Sequence, residues 1–154
     1  MFSYNSATSA MAPSVNLFCS QSVSTVAQKA IILLVEDNPL LQYLHKNWLE
    51  QLGYEVTVAG SGEEALEQLN NYFDVIFMDI DLPGANGVAT THALFQKHPR
   101  LKAAVIACSS HAESEMKADC FSAGMVDYLQ KPISLSKLDA TLKFHLAQGA
   151  RHEG

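Results

Sequence analysis

This chain has no uninterrupted basic run. Its ten Lys and Arg residues are scattered and outnumbered by sixteen Asp and Glu, giving a net charge of −6. Nucleic acid and anionic membranes need a basic footprint that such a surface lacks, so direct binding to either is not expected. Long hydrophobic runs are missing as well. None approaches the ~20 apolar residues that span a bilayer, and the N-terminus lacks the positively charged start of a secretory signal. The expectation is a chain neither anchored nor exported. Cysteine is scarce: Cys19, Cys108 and Cys120 form an odd set without CxxC spacing, and two of them stand among apolar neighbours as small buried hydrophobes do. These features predict a reducing, cytoplasmic setting. His and Cys at metal-ligand spacing are also missing, which excludes a zinc site of the usual kind. Residues 1–28 hold no charged residue and show no hydrophobic period, although Val15, Leu17 and Phe18 are apolar, so they are expected to be a disordered leader or linker.

What is present fits one domain. The chain has 154 residues, 48% of them hydrophobic, enough for one core and too few for a second sizeable domain. We place that domain at 29–148, followed by a flexible tail at 149–154. Within it two hydrophobic periods alternate. Ile31 to Val35 is a continuous apolar run, as in a strand buried on both faces. A helix follows, capped by Asp37 or Asn38, with Pro39 in its first turn, Leu41, Leu44, Trp48 and Leu52 on one face, and Gly53 at its end. Tyr54–Val58 makes a second strand, and Ser61-Gly62-Glu63-Glu64 reads as a capping box opening a second helix. Further strands are predicted at Asp74–Met78, Ala104–Cys108 and Val126–Leu129, with helices at 87–97, 111–122 and 134–147. The second of these helices is expected to start from the capping box Ser110-His111-Ala112-Glu113.

Five strand-helix units require right-handed crossovers and a parallel sheet covered on both faces. The predicted fold is a three-layer α/β sandwich, flavodoxin-like, with five strands in the order 2-1-3-4-5 and five helices. Ligands in such sheets sit beyond the carboxyl ends of the strands, at the switch point between strands one and three. The residues that end those strands are Glu36-Asp37, Asp79, Ser109-Ser110 and Lys131-Pro132. Three carboxylates and a lysine would therefore converge. Clustered carboxylates repel, which favours a hard divalent cation among them, and oxygen-only donors describe Mg2+. Taken singly, each piece has an ordinary reading: Glu36-Asp37 beside Pro39 as a helix cap, Asp79 as the start of a turn, Ser109 as a loop hydroxyl, Lys131 as a solvated lysine. Their joint placement at four strand ends carries the functional reading.

Residues 30–147 resemble the receiver domains of response regulators. The likeness rests on the acidic pair after strand one, the segment Met78-Asp79-Ile80-Asp81-Leu82-Pro83-Gly84-Ala85-Asn86-Gly87, Ser109 at the end of strand four and Lys131-Pro132 at the end of strand five. Ser109 and Lys131 follow Asp79 by 30 and 52 residues, as the family pattern expects. The resemblance implies a phosphoacceptor domain of two-component signalling. In it Asp79 takes a phosphoryl group from a histidine kinase or a histidine phosphotransfer protein. Asp37 and Asp79 would bind Mg2+ with the backbone carbonyl of Asp81, and Glu36 would help through water. Lys131 and Ser109 would bond phosphoryl oxygens, with Ser109 and Tyr128 as the switch pair. Asp81 and His111 would flank the path of attacking water. The output would be a binding event near Tyr128, with an unknown downstream protein or with a second copy in a homodimer. Leu82 and Ala85 stand where methionines are frequent, and Ser109 replaces the commoner threonine.

Two other readings compete with this one. Asp79-Ile80-Asp81 also resembles the aspartate pair of haloacid-dehalogenase-type phosphatases, but Pro83 stands where that family has Thr or Val, and only Asp139 and Glu153 follow Lys131 as acidic residues. A phosphorylation-independent interaction module would not need Asp37, Asp79, Ser109 and Lys131 together.

Overall fold

A computed structural model of the chain describes residues 28–153; the expected leader lies outside them almost entirely. Five strands, β1 (Ile31–Val35), β2 (Glu55–Ala59), β3 (Val75–Asp79), β4 (Ala104–Ser109) and β5 (Asp127–Gln130), form one sheet in the order β2-β1-β3-β4-β5. Every neighbouring pair is parallel. Helices α1 (Pro39–Gln51), α2 (Gly62–Gln68), α3 (Gly87–Lys97), α4 (Glu113–Ala123) and α5 (Leu135–Glu153) alternate with the strands. None of these helices is long and apolar enough to cross a membrane.

The core divides into two layers, one on each face of the sheet. Leu33, Val35, Ile76, Met78, Val105 and Ala107 point to the side packed by Ala65, Leu94 and Cys120 from α2, α3 and α4. Ile32, Leu34, Val75, Phe77, Ile106 and Cys108 point to the side packed by Leu49 from α1 and by Leu138 and Leu142 from α5. Alternation along each strand, with apolar residues at both phases, is why the strands read as continuous hydrophobic runs.

Most boundaries shift by a residue toward the C-terminus, and the shift matters at two places. Asp79 pairs with Cys108 and Ser109 with Gln130, so both functional side chains are the last residues of strands rather than the first of loops. Asn38, not Asp37, caps α1: its Oδ1 accepts from the Leu40 and Leu41 amides, which leaves the Asp37 carboxylate free of capping duty. Ser61 caps α2 through the Glu64 amide, while Glu64 reaches back to the Gly60 amide, one residue short of the reciprocal box. The box expected at Ser110 does not form. The N-cap of α4 is Ala112, without a side-chain bond, because Ser110 turns its hydroxyl to Asp81 instead. Helix α5 runs to Glu153, past the end expected at residue 147; Gly149 lowers helix propensity there, but no proline stops the helix.

Candidate phosphoacceptor site

The order of the strands places the ends of β1, β3, β4 and β5 side by side, and four loops bring their polar residues together. Asp79 closes β3 with its side chain buried. One carboxylate oxygen, Oδ1, accepts the Asp81 amide at 2.8 Å; the other, Oδ2, lies 3.1 Å from Lys131 Nζ. Lys131 also reaches Glu36 Oε2 at 3.0 Å, so one ammonium bridges two buried carboxylates. Glu36 is further held by the Asn38 amide on Oε1. Asp37 is exposed, yet Glu36, Asp37 and Asp79 each offer an oxygen within 4.8 Å of the other two. Three carboxylates against one ammonium leave two negative charges uncompensated at this mouth. The donors are all oxygen, the charge invites a dication, and the Asp37 side opens to solvent, so the cluster fits a small hard cation such as Mg2+.

Electrostatics follow from burial. Desolvation pushes the Asp79 carboxyl up, the Asp81 amide and Lys131 pull it back, and Glu36 adds repulsion, with a net rise from 3.8 to about 6. Burial lowers Lys131, but its two carboxylate partners more than offset that and hold it above its ordinary value. Asp81 moves the other way. Burial raises it, but the Ser110 amide and hydroxyl, together with His111 and Lys131, bring it below its ordinary value.

Ser109 is buried at the end of β4, where its Oγ accepts the His111 amide at 3.1 Å and lies 3.2 Å from His111 Nδ1. The same ring nitrogen is 3.1 Å from Asp81 Oδ1. Asp81 Oδ2 takes the amide and hydroxyl of Ser110 at 3.0 and 2.9 Å, which ties the β3 loop to the β4 loop. Tyr128, on β5, is buried and donates its hydroxyl to the His111 carbonyl at 2.8 Å. The Tyr128 ring is thus inside, and Ser109 and Tyr128 hold one residue, His111, from two sides.

The structure brings together Glu36, Asp37, Asp79, Ser109 and Lys131, which were read from strand ends, and Asp81, which the family resemblance supplied. It adds Ser110 as the residue that fixes Asp81, a role hidden by its resemblance to a helix cap. It also explains Gly87, which opens α3. A β-carbon there would lie 2.3 Å from the Asp79 carbonyl oxygen, so only glycine lets the helix approach the site's backbone so closely.

The model of the response regulator receiver domain matches residues 32–143. This chain belongs to that family. Among curated proteins, the receiver is 35% identical over 123 residues to the transcription factor SKN7 of Chaetomium thermophilum, covering 78% of this chain and 16% of that protein. Its fold matches a CheY-like receiver from Methanospirillum hungatei JF-1 with a TM-score of 0.75 and 27% identity, covering 82% of this chain and all of the other. It also matches the receiver domain of the sensor histidine kinase PA1611 from Pseudomonas aeruginosa PAO1, a structure described with a magnesium ion coordinated in its active-site cleft. There the TM-score is 0.70 and the identity 32%, over 78% of this chain and 99% of that one. The chain spans less than a quarter of the length of the first curated relatives it matches. It is a receiver domain of two-component signal transduction, a signalling domain with the flavodoxin-like sheet expected of it.

Proposed function

We propose that Asp79 is the phosphoacceptor of this receiver, that the donor is a histidine kinase or a histidine phosphotransfer protein, and that phosphorylation changes what the domain binds. The observation that carries this reading is Lys131, whose ammonium spans Asp79 and Glu36 beside the open Asp37 carboxylate. Asp37 and Asp79 would hold Mg2+ directly with the Asp81 backbone carbonyl, and Glu36 would do so through water. The bound ion supplies positive charge against the phosphoryl oxygens as charge develops on them.

The residues divide the remaining work. An Asp79 oxygen forms the new bond to phosphorus, the bond from phosphorus to the donor imidazole breaks, and its electron pair returns to the donor nitrogen. The high pKa of Lys131 keeps it charged, so it stays to offset a phosphoryl oxygen in the acyl phosphate. Buried walls hold these groups in place and remove the entropy cost of assembling them. Ser109 must leave its contacts with His111 to bond a second phosphoryl oxygen. His111 then loses the partner that positions it, and Tyr128, bonded to the His111 carbonyl, registers the change. The energy that moves this switch is the difference in Ser109 and Lys131 bonding between the two states.

The reading implies a cytoplasmic domain that catalyses only its own phosphorylation and dephosphorylation, with output to a partner protein or a second copy. Intact mass spectrometry after incubation with acetyl phosphate and Mg2+ tests it. One phosphoryl adduct is expected, absent in Asp79→Asn; no adduct, or an adduct retained in that variant, rejects the assignment. Tyr128→Ala and Ser109→Ala should still accept phosphate while losing the beryllofluoride-dependent change in partner binding or oligomeric state.

A further inference from the structure

The helical spacing that buries Leu49 of α1 against the sheet also buries His45, one turn earlier on the same face. An apolar residue would suit that position, yet the sequence puts an imidazole there, 5% exposed, with Trp48 tilted beside it at a ring-centroid distance of 5.7 Å. Neither ring nitrogen of His45 has a hydrogen-bond partner among the described residues. No described buried side-chain nitrogen or oxygen is both unpaired and sealed off, so each of the two borders open space. A polar group withdrawn from water without a partner is costly, and that space must answer it.

The space that His45 lines is a cavity of about 10 Å3, which it shares with Glu36 and Lys131 of the phosphoacceptor site, with Cys108, and with apolar walls such as Phe77 and Leu138. One water needs roughly 10–15 Å3, so a single water fits and nothing larger does. Lys131 supplies a second unmet bond. An ammonium has three N–H donors; Glu36 Oε2 and Asp79 Oδ2 take two, at 3.0 and 3.1 Å, and the third has no acceptor among the described residues. Cys108 competes poorly, since a thiol is a weak partner and its Sγ lies 4.0 Å from the Ile106 carbonyl oxygen. Burial, joined by the charge of Lys131, holds His45 below its ordinary pKa, so the ring is neutral and one of its nitrogens accepts.

We propose that this cavity is a binding site for one water, which accepts from Lys131 and donates to His45, and that His45 is thereby a positioning residue for phosphoryl transfer. The functional half of this proposal rests on the reading of Lys131 as the cation that stays against a phosphoryl oxygen. When Lys131 turns from Asp79 toward that oxygen, the bond through water holds the ammonium from behind and fixes its direction. Glu36 alone would leave it one anchor. His45 touches neither the metal ligands nor the phosphoryl group in this scheme; it acts through Lys131.

The test has a structural and a kinetic arm. A crystal structure of the full chain grown in EDTA, at a resolution that shows ordered water, should place one water within hydrogen-bond distance of both a His45 ring nitrogen and Lys131 Nζ. An empty cavity, or a water that meets only one of the two, overturns the proposal. In the kinetic arm, phosphoryl uptake from acetyl phosphate at saturating Mg2+ should be about fivefold slower in His45→Leu, the effect of losing one hydrogen bond of ordinary strength. His45→Gln or His45→Asn, which carry an amide near the place of Nε2 or of Nδ1, should restore the rate. Leucine fills the space without stranding a polar group, so the urea stability of His45→Leu should not fall with its rate. Uptake in His45→Leu equal to wild type overturns the proposal, and equal slowing in all three variants does too, because it marks a packing role. Should His45→Leu fail to fold, the wild-type crystal structure decides. Absence of any adduct in wild type rejects Asp79 as the acceptor, a separate failure, and the structural arm still decides the water.

Discussion

Replacing Lys131 with alanine is the most informative perturbation of this receiver, because one ammonium serves two buried carboxylates. Asp79 and Glu36 lie 3.1 and 3.0 Å from Nζ, and their side chains are 2% and 4% exposed against 17% for the lysine. Removing one partner of a buried ion pair costs about 3–5 kcal/mol, since the remaining charge keeps its desolvation penalty without compensation. Here the mouth is open on the Asp37 side, so water can relax part of that penalty, and about 2–3 kcal/mol is the expected loss in metal-free buffer. The two carboxylates then repel without an internal counterion, so a dication should bind the variant at least as gainfully as the wild type. Urea unfolding with EDTA and with millimolar Mg2+ measures both effects. The expected result is a large destabilisation in EDTA and a greater Mg2+-dependent recovery in Lys131→Ala than in wild type. Phosphoryl uptake should stay slow even with Mg2+, because the donor to the phosphoryl oxygen is gone. A loss under about 0.5 kcal/mol, the range of surface substitutions, or equal Mg2+ stabilisation of both proteins, would refute the account of the cluster as charge held together by one lysine.

Asp37→Ala should weaken Mg2+ binding and slow phosphorylation with little effect on metal-free stability, since Asp37 is exposed and Asn38 carries the helix cap; Mg2+ titration by calorimetry checks this. In EDTA, the raised Asp79 pKa makes a stabilising contribution that is fully present below its ordinary 3.8 and is lost as pH rises through about 6. The melting temperature of wild type should therefore fall relative to Asp79→Asn across that window, and parallel curves would count against it. Gly87→Ala forces a β-carbon to within 2.3 Å of the Asp79 carbonyl oxygen and should cost about 1–3 kcal/mol by overpacking while displacing the acceptor, read as reduced urea stability and reduced uptake from acetyl phosphate. Replacing Asp81 and His111 together with alanine removes the contact between the β3 and β4 loops and should change the rate of phosphate loss without abolishing phosphorylation, as followed by decay of the phosphoryl adduct.

Sequence alone determined the alternation of strands and helices, because a parallel sheet buried on both faces demands continuous apolar runs such as Ile31–Val35 between amphipathic helices. It also determined which residues end the strands, and with them Glu36, Asp37, Asp79, Ser109 and Lys131, since a two-sided sheet tolerates polar groups only at its ends. Tertiary structure decided how those residues share their bonds. Whether Asp37 or Asn38 caps α1 was open until the fold gave the cap to Asn38 and left Asp37 at the mouth. The spacing of Ser110 and Glu113 fits a capping box, but Asp81, 29 residues away, competes for the Ser110 amide and hydroxyl and wins. Local propensity cannot foresee such a competitor, because hydrogen-bond partners are set by proximity in the fold rather than along the chain. For the same reason the link from Ser109 through His111 to Tyr128 became visible only once the strands were side by side.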